Sequence, residues 1–350
     1  MTAAASHELP PVEYIRLIDE AARLDGVIAI HSTARGPAAG GCRLWTYPDA
    51  QTMLADAARL AEGMSYKNAM AELPFGGGKS VLRRPDGDFD RRALFEAFGR
   101  EVEKLGGRYV TAEDVGTGVE DMEFAALHTS HVAGRSARPG FAGGDPSPWT
   151  ALGVFEGMKA AALFAYGTSL SGMTVAVQGL GSVGAELCHM LSKTGAKLVV
   201  ADIVVERAAA LADKLGAKVA SVEEIAGVDA QVFAPCALGG ALNDAALDVL
   251  KAKVICGAAN NQLAAPHIAG RLLAMDVTYA PDYVVNAGGI INVSAEYLHE
   301  DENQVRARVM QIGPRTADVL EQAGELHLPT SQVANRIAEQ LMAQPVQADS

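Results

Sequence analysis

The chain has 350 residues, 49% of them hydrophobic and 20% charged, with a net charge of -13. That balance excludes disordered and fibrous classes, and the length points to two domains rather than one core. The acidic charge without a basic run argues against nucleic acid as a partner. No uninterrupted apolar stretch is long enough to span a bilayer, and the opening MTAAASHELPP lacks a signal peptide's cationic start and apolar core, so a cytoplasmic protein is expected.

In chain order, Gly26 to His31 reads as a strand, Gln51 to Gly63 as an amphipathic helix, Lys79 to Leu82 as a strand and Arg91 to Leu105 as a helix. The stretch RPGFAGGDPSP, from Arg138 to Pro148, is rich in Gly and Pro and reads as a hinge. After it the pattern becomes regular. Ala151 to Ala165 is helical, Thr174 to Gln178 a strand, Ser182 to Thr194 helical, Lys197 to Ala201 a strand and Ile203 to Leu215 helical. Short apolar runs follow at Ala230 to Ala234, Lys253 to Cys256 and Val277 to Ala280, and the tail from Gln304 is largely helical. Alternating strands and helices predict a doubly wound parallel sheet of the Rossmann type in the second of two α/β domains. The four cysteines, Cys42, Cys188, Cys236 and Cys256, are scattered without a C-x-x-C pair. They read as reduced thiols, and no metal site is expected.

Two segments carry chemistry. The first is KNAMAELPFGGGK, from Lys67 to Lys79, which sets two lysines on either side of a glycine triplet whose missing side chains let a small substrate lie against bare backbone. Two converging ammonium groups lower one another's pKa, and burial lowers it further, so one lysine becomes a neutral base and the other a carboxylate clamp. A Walker phosphate loop is excluded because position 73, where that motif needs glycine, is Leu73. The second segment is Gly179-Leu180-Gly181-Ser182-Val183-Gly184, between a strand and a helix, with Asp202 ending the next strand. This is the context of a dinucleotide fingerprint, with the pyrophosphate on the helix N-terminus. An acid at Asp202 accepts hydrogen bonds from the ribose hydroxyls and repels a 2'-phosphate, which favours NAD over NADP, although Arg207 lies one turn into the next helix.

Ordered blocks along nearly the whole chain resemble the glutamate/leucine/phenylalanine/valine dehydrogenases. They are GPAAGGCR, MSYKNAMAELPFGGGKS, RYVTAEDVGT, DPSPWTALGV, VQGLGSVG, FAPCALGG, GAANNQLA and YAPDYVVNAGGIINV. The resemblance is closer to the leucine and valine enzymes than to the phenylalanine or glutamate ones. It implies reversible oxidative deamination of an apolar L-amino acid with NAD, in a homo-oligomer, with catalysis in a cleft between the domains that closes to exclude water. It also implies a substrate domain over 1–137, with helices from about 320 to 350 packing back on it, and an NAD domain over 138–319. By the same resemblance Lys67 clamps the carboxylate, Lys79 is the base and Asp114 relays protons. Gly40, Gly41, Met64 and Asn261 contact substrate, while Thr150, Cys236, Ala237 and Asn260 surround the nicotinamide. Ala112, Ile290 and Val293 line the side-chain pocket in the branched-chain manner. Ala39 stands where leucine enzymes carry a bulkier residue, as in phenylalanine enzymes, and Trp149 replaces a smaller residue. A phenylalanine dehydrogenase and a non-catalytic NAD-binding regulatory protein are the alternatives. A glutamate enzyme would need a cation for the second carboxylate, and the named pocket positions are apolar.

Overall fold

The computed structural model describes residues 12–136 and 140–344. They form two compact units. One holds the described residues up to Gly144 with Asn292–Glu302 and those from Ala338 onward, and the other Asp145–Ile291 with Asn303–Ile337. The opening MTAAASHELPP, the junction of 137 with 138, Arg138 and Pro139 of the hinge stretch, and the tail after 344 lie outside the described residues. The last segment grouped with the first unit begins at Ala338, where the sequence reading began the return near 320.

The first unit is built on strands β1 (Glu13–Asp19), β2 (Leu24–Ser32), β3 (Ala38–Trp45), helix α1 (Ala50–Met70), β4 (Gly76–Arg83), α2 (Arg91–Glu103), β5 (Tyr109–Glu113) and α3 (Val119–Ala126). The sheet order is β1-β2-β4-β3-β5. β2 runs antiparallel to its neighbours β1 and β4, while β3 is parallel to both β4 and β5. Strand alternation divides the side chains between two layers. Leu17, Ile28, Ile30, Leu44, Leu82 and Tyr109 pack with Phe95, Phe98 and Met122 on the α2 and α3 side. Val27, Ala29 and Val81 pack with Met53, Ala57 and Ala61 of α1 on the other.

Helix α1 starts where Asp49 accepts a hydrogen bond from Thr52 N at 2.7 Å, a cap that contributes ~1 kcal/mol. It runs seven residues beyond the predicted end at Gly63, because its buried stripe continues through polar residues that apolar periodicity does not register. Ser65 Oγ meets His31 Nδ1 at 2.8 Å, and Asn68 Nδ2 donates to Gly76 O at 2.6 Å. Strand β3, AAGGCRLW, was not foreseen. Its glycines lower strand propensity, and it is held by neighbours on both edges.

The second unit opens with α4 (Ser147–Tyr166) and continues β6 (Thr174–Gln178), α5 (Ser182–Lys193), β7 (Lys197–Ala201), α6 (Val205–Leu215), β8 (Lys218–Val219), β9 (Val232–Pro235), α7 (Asp244–Val249), β10 (Val254–Ile255), α8 (His267–Ala274), β11 (Thr278–Tyr279) and α9 (Asp282–Val285). Helices α10 (Gly288–Tyr297), α11 (Glu302–Met310), α12 (Ile312–Leu326) and α13 (Thr330–Ala343) follow, with the divisions between units falling within α10, after the first residue of α11 and within α13. Its sheet has the order β11-β10-β9-β6-β7-β8 with every pair parallel. The strand order reverses between β6 and β9, which makes the C-terminal ends of those two strands the place where an open α/β sheet takes its ligand. No helix among the described residues is long and apolar enough to cross a membrane.

Candidate functional site

Gly41 and Arg43 of β3, Lys79 of β4 and Asp114, just past β5, share the face of the first sheet that α1 covers, and alternation puts Ala112 on the same face. Lys79 Nζ lies 2.9 Å from Asp114 Oδ2, with the lysine side chain only 6% exposed. Burial, the strongest influence, pushes the Lys79 amine below the ordinary lysine range. Asp114 opposes that push, and Arg43 adds to it. For Asp114 burial works toward protonation, but Lys79 and Arg43 outweigh it and hold the carboxyl below its usual range. The sequence reading ascribed part of the lysine's depression to a second ammonium. The cation bonded to the same carboxylate is instead the Arg43 guanidinium, whose Nε sits 3.0 Å from Asp114 Oδ2.

The glycine triplet is closed rather than open to a substrate. Gly76, Gly77 and Gly78 are buried, and a Cβ on each would lie 1.9 Å from Ser32 O, 2.1 Å from Ser65 Oγ and 2.9 Å from the Tyr109 ring. The triplet therefore admits close packing of β4 against its neighbours, and offers no bare surface to a substrate. The less buried backbone beside the reactive pair belongs to Gly41, which is half-buried, whereas Gly40 is buried and a Cβ on it would lie 1.8 Å from Gly78 O. A Cβ on Gly41 would stand 2.7 Å from Asp114 Cβ and 3.2 Å from Lys79 Nζ, and one on Gly40 would meet Met64 Cγ at 3.2 Å.

Lys67 is half-buried in the last turn of α1. The neighbouring Asn68, which the sequence reading passed over, ties this end of the helix to β3 and β4 through Ala39 O and Gly76 O. Ala39 and Ala112 are buried, and Val293 of the first unit is half-buried on α10. Ile290 and Asn261 belong to the second unit, with Asn261 exposed in the left-handed region at φ 53°.

In the second unit each glycine of the fingerprint has a distinct setting. Gly179 has φ +95° and touches Ala237, and a Cβ on Gly184 would lie 2.0 Å from Gly179 O. Around Gly181 nothing lies within 4 Å of an added Cβ. Gly181 and Ser182 are exposed at the start of α5, whose first N–H groups receive no side-chain cap. Open backbone with unpaired donors at a helix N-terminus suits a pyrophosphate. Asp202 Oδ2 accepts from Leu180 N at 2.7 Å and Oδ1 from Val204 N at 2.8 Å, while Arg207 Nη1 lies 3.2 Å from both oxygens. Burial acts against ionisation of Asp202, but these donors keep its pKa below the usual carboxylate range.

Thr150 Oγ1 bonds Pro146 O in the first turn of α4, and the Trp149 ring faces Arg306 at 5.5 Å. Cys236 Sγ accepts from Ala258 N at 3.5 Å. Asn286, absent from the sequence reading, donates to Asn260 Oδ1 at 3.0 Å and to Ala258 O, while its own buried Oδ1 has no partner among the described residues. A buried acceptor left open in this way suits a ligand amide. All four cysteines are free thiols, with Cys236 the least buried.

A buried lysine–carboxylate pair thus lies on one sheet and a glycine-rich turn at the switch point of a parallel sheet on the other, an arrangement that suits a dinucleotide-using enzyme. The chain belongs to the glutamate/leucine/phenylalanine/valine dehydrogenase family. Residues 14–131 match the profile described as the Glu/Leu/Phe/Val dehydrogenase dimerisation domain, and residues 202–345 match Glutamate/Leucine/Phenylalanine/Valine dehydrogenase. It is 46% identical to the leucine dehydrogenase of Geobacillus stearothermophilus, over 92% of this chain and 88% of that one. It is 45% identical to the valine dehydrogenase of Streptomyces albus, over 93% and 90%. Among solved structures, the L-tryptophan dehydrogenase of Nostoc punctiforme superposes with a TM-score of 0.84 at 38% identity, covering 95% of both chains. The protein is thus an amino-acid dehydrogenase, an oxidoreductase acting on CH–NH2 groups of the kind that uses a nicotinamide cofactor.

Proposed function

We propose that the protein catalyses the reversible reaction of a branched-chain L-amino acid, water and NAD to the 2-oxo acid, ammonia and NADH, in a cytoplasmic homo-oligomer. The observation that carries this reading is the 2.9 Å pair of a buried, pKa-lowered Lys79 with an ionised Asp114 beside the half-buried Gly41. Leucine and valine dehydrogenases among the relatives support the substrate class. The family's dimerisation profile over 14–131 supports a second copy of this chain as partner.

In this reading Lys67 binds the substrate carboxylate as a point charge, while Gly40, Gly41 and Met64 shape the floor beneath it. Asp114 takes a proton from the substrate amine. A nicotinamide held in the second unit would supply the hydride acceptor for the substrate's α-carbon, which the loss of hydride converts to an iminium. Neutral Lys79 removes a proton from water as its oxygen attacks the iminium carbon and gives that proton up to solvent; Asp114 then returns its proton to the nitrogen, and Lys79 takes the hydroxyl proton as the carbinolamine's C–N bond breaks to release ammonia and the 2-oxo acid. Because Lys79 must be unprotonated to act, the rate rises with pH through the lysine's depressed pKa. Gly179 to Gly184 would hold the pyrophosphate, Asp202 the ribose, and Thr150, Cys236, Ala237, Asn260 and Asn286 the nicotinamide side. Ala39, Ala112, Ile290 and Val293 would line the side-chain pocket, and Asn261 would contact substrate.

A panel of L-amino acids followed by NADH absorbance tests the assignment. Leucine, valine and isoleucine should give the highest kcat/KM, and activity on glutamate alone would overturn the apolar reading. An aromatic substrate is the second reading, favoured by Ala39 and by the L-tryptophan dehydrogenase among the solved structures. Ala39→Leu should shift preference from phenylalanine toward leucine, because the added branch occupies ring volume and overpacking costs ~1–3 kcal/mol. An unchanged leucine-to-phenylalanine ratio of kcat/KM would remove Ala39 from the pocket.

Cofactor choice is tested at Asp202. The Arg207 guanidinium already pairs with this carboxylate. Asp202→Ser removes the anion and releases a cation to meet a 2'-phosphate, so the NADP-to-NAD ratio of kcat/KM should rise about tenfold, the equivalent of ~1.4 kcal/mol. A native enzyme that uses both cofactors equally would contradict the role given to Asp202.

A further inference from the structure

Arg43 has no part in the mechanism above, yet its Nε reaches the same Asp114 oxygen as Lys79 does, at 3.0 Å against 2.9 Å. We propose that Arg43 is a positioning residue for the reaction, acting through the shared Asp114 carboxylate to orient Lys79 and to favour its neutral form, with Asp56 of α1 holding Arg43 in place. The inference rests on Lys79 being the base.

The geometry argues for more than a structural brace. Arg43 spans two carboxylates, with Nη1 3.1 Å from Asp56 Oδ2. Asp56 is itself fixed by Tyr47 OH at 2.7 Å and by Arg59 at 2.7 Å. Charge therefore alternates from Lys79 through Asp114, Arg43 and Asp56 to the half-exposed Arg59. Bracing β3 against α1 needs only the Asp56 contact. Sharing Asp114 instead places two cations on one oxygen. The resulting repulsion falls on the partner that can lose its proton, because a guanidinium cannot. Arg43 correspondingly adds to the downward push on Lys79 that burial begins. The elements around Lys79 also carry His31 on β2, Cys42 on β3, Lys67 on α1 and Glu113 on β5, and these are the same in every variant below. The Cys42 thiol is pushed up to about 12 by burial and stays uncharged near neutrality.

The test is the pH dependence of kcat/KM for leucine oxidation by the full chain, compared among native enzyme, R43Q, R43K and D56N. The substrate's own ammonium titrates identically with each, so a difference in the acid limb belongs to the enzyme. In R43Q the lysine loses its competing cation and keeps Asp114 to itself, so the midpoint should move up by about one unit. R43K should return the midpoint toward native while kcat stays low, since an ammonium cannot span both carboxylates. D56N removes an anion from the network and should move the midpoint the other way. An R43Q midpoint equal to native, whatever its kcat or melting temperature, overturns the proposal. If R43Q does not fold, a D56N midpoint that stays put or rises does the same. Failure of the underlying reading shows separately, as near-native turnover in Lys79→Ala.

Discussion

Lys79→Ala is expected to lower kcat by orders of magnitude while cofactor binding persists. The amine it removes is buried, held below the ordinary lysine range and paired with Asp114, and alanine supplies neither a base nor a partner for that carboxylate. General-base assistance alone is worth ~100- to 10,000-fold. The proposed dinucleotide site lies on another sheet, so titration of the variant with NADH by fluorescence should give a Kd close to native. Lys67→Ala serves as the contrast. If it clamps the substrate carboxylate, its loss should appear mainly as weaker amino-acid binding, by ~2–5 kcal/mol for a charge left without its partner. Near-native turnover in the first variant would remove Lys79 from the mechanism, and an unchanged KM in the second would remove the clamp.

Gly41→Ala should be nearly as damaging, although it adds a single methyl group. That methyl would stand 2.7 Å from Glu113 O and 2.7 Å from Asp114 Cβ, distances that force the end of β5 to move. Gly41 cannot yield cheaply on β3, which is paired on both edges, so the displacement falls on Asp114, and misplacing a reactive group by ~1 Å can cost about 100-fold. Gly63→Ala is the control, because nothing lies within 4 Å of a Cβ added there, and an alanine within α1 should stabilise the protein by ~0.5–1 kcal/mol. The measurement is kcat for leucine together with thermal unfolding of both variants. A Gly41→Ala enzyme with native kcat would show that Asp114 tolerates displacement from Lys79.

Much of the second unit was legible from residue order because its instructions are local. The predicted strands Thr174–Gln178 and Lys197–Ala201 are β6 and β7 as observed, since continuous apolar runs bounded by turn residues suit a sheet covered on both faces. The Gly179–Gly184 fingerprint likewise depends on a turn, a helix start and close packing within a few residues of one another. The membership of the family was equally readable, because many short blocks recur in one order.

Only the tertiary structure decided that Arg43 answers to Lys79 through the carboxylate of Asp114. The sequence alone singled out the lysines flanking the glycine triplet, and treated that triplet as open to substrate. Its three residues are instead buried against Ser32, Ser65 and Tyr109, and the glycine beside the reactive pair is the half-buried Gly41, which the resemblance named but whose strand the apolar pattern did not show. Arg43, Asp114 and Lys79 come from β3, from just past β5 and from β4, and no periodicity relates them. They meet because parallel pairing of β3 with both β4 and β5 sets the three side by side. Identifying a base requires knowing what surrounds it, since burial and neighbouring charge set a lysine's pKa. Those are properties of the assembled sheet, whereas the type and order of its strands are written along the chain.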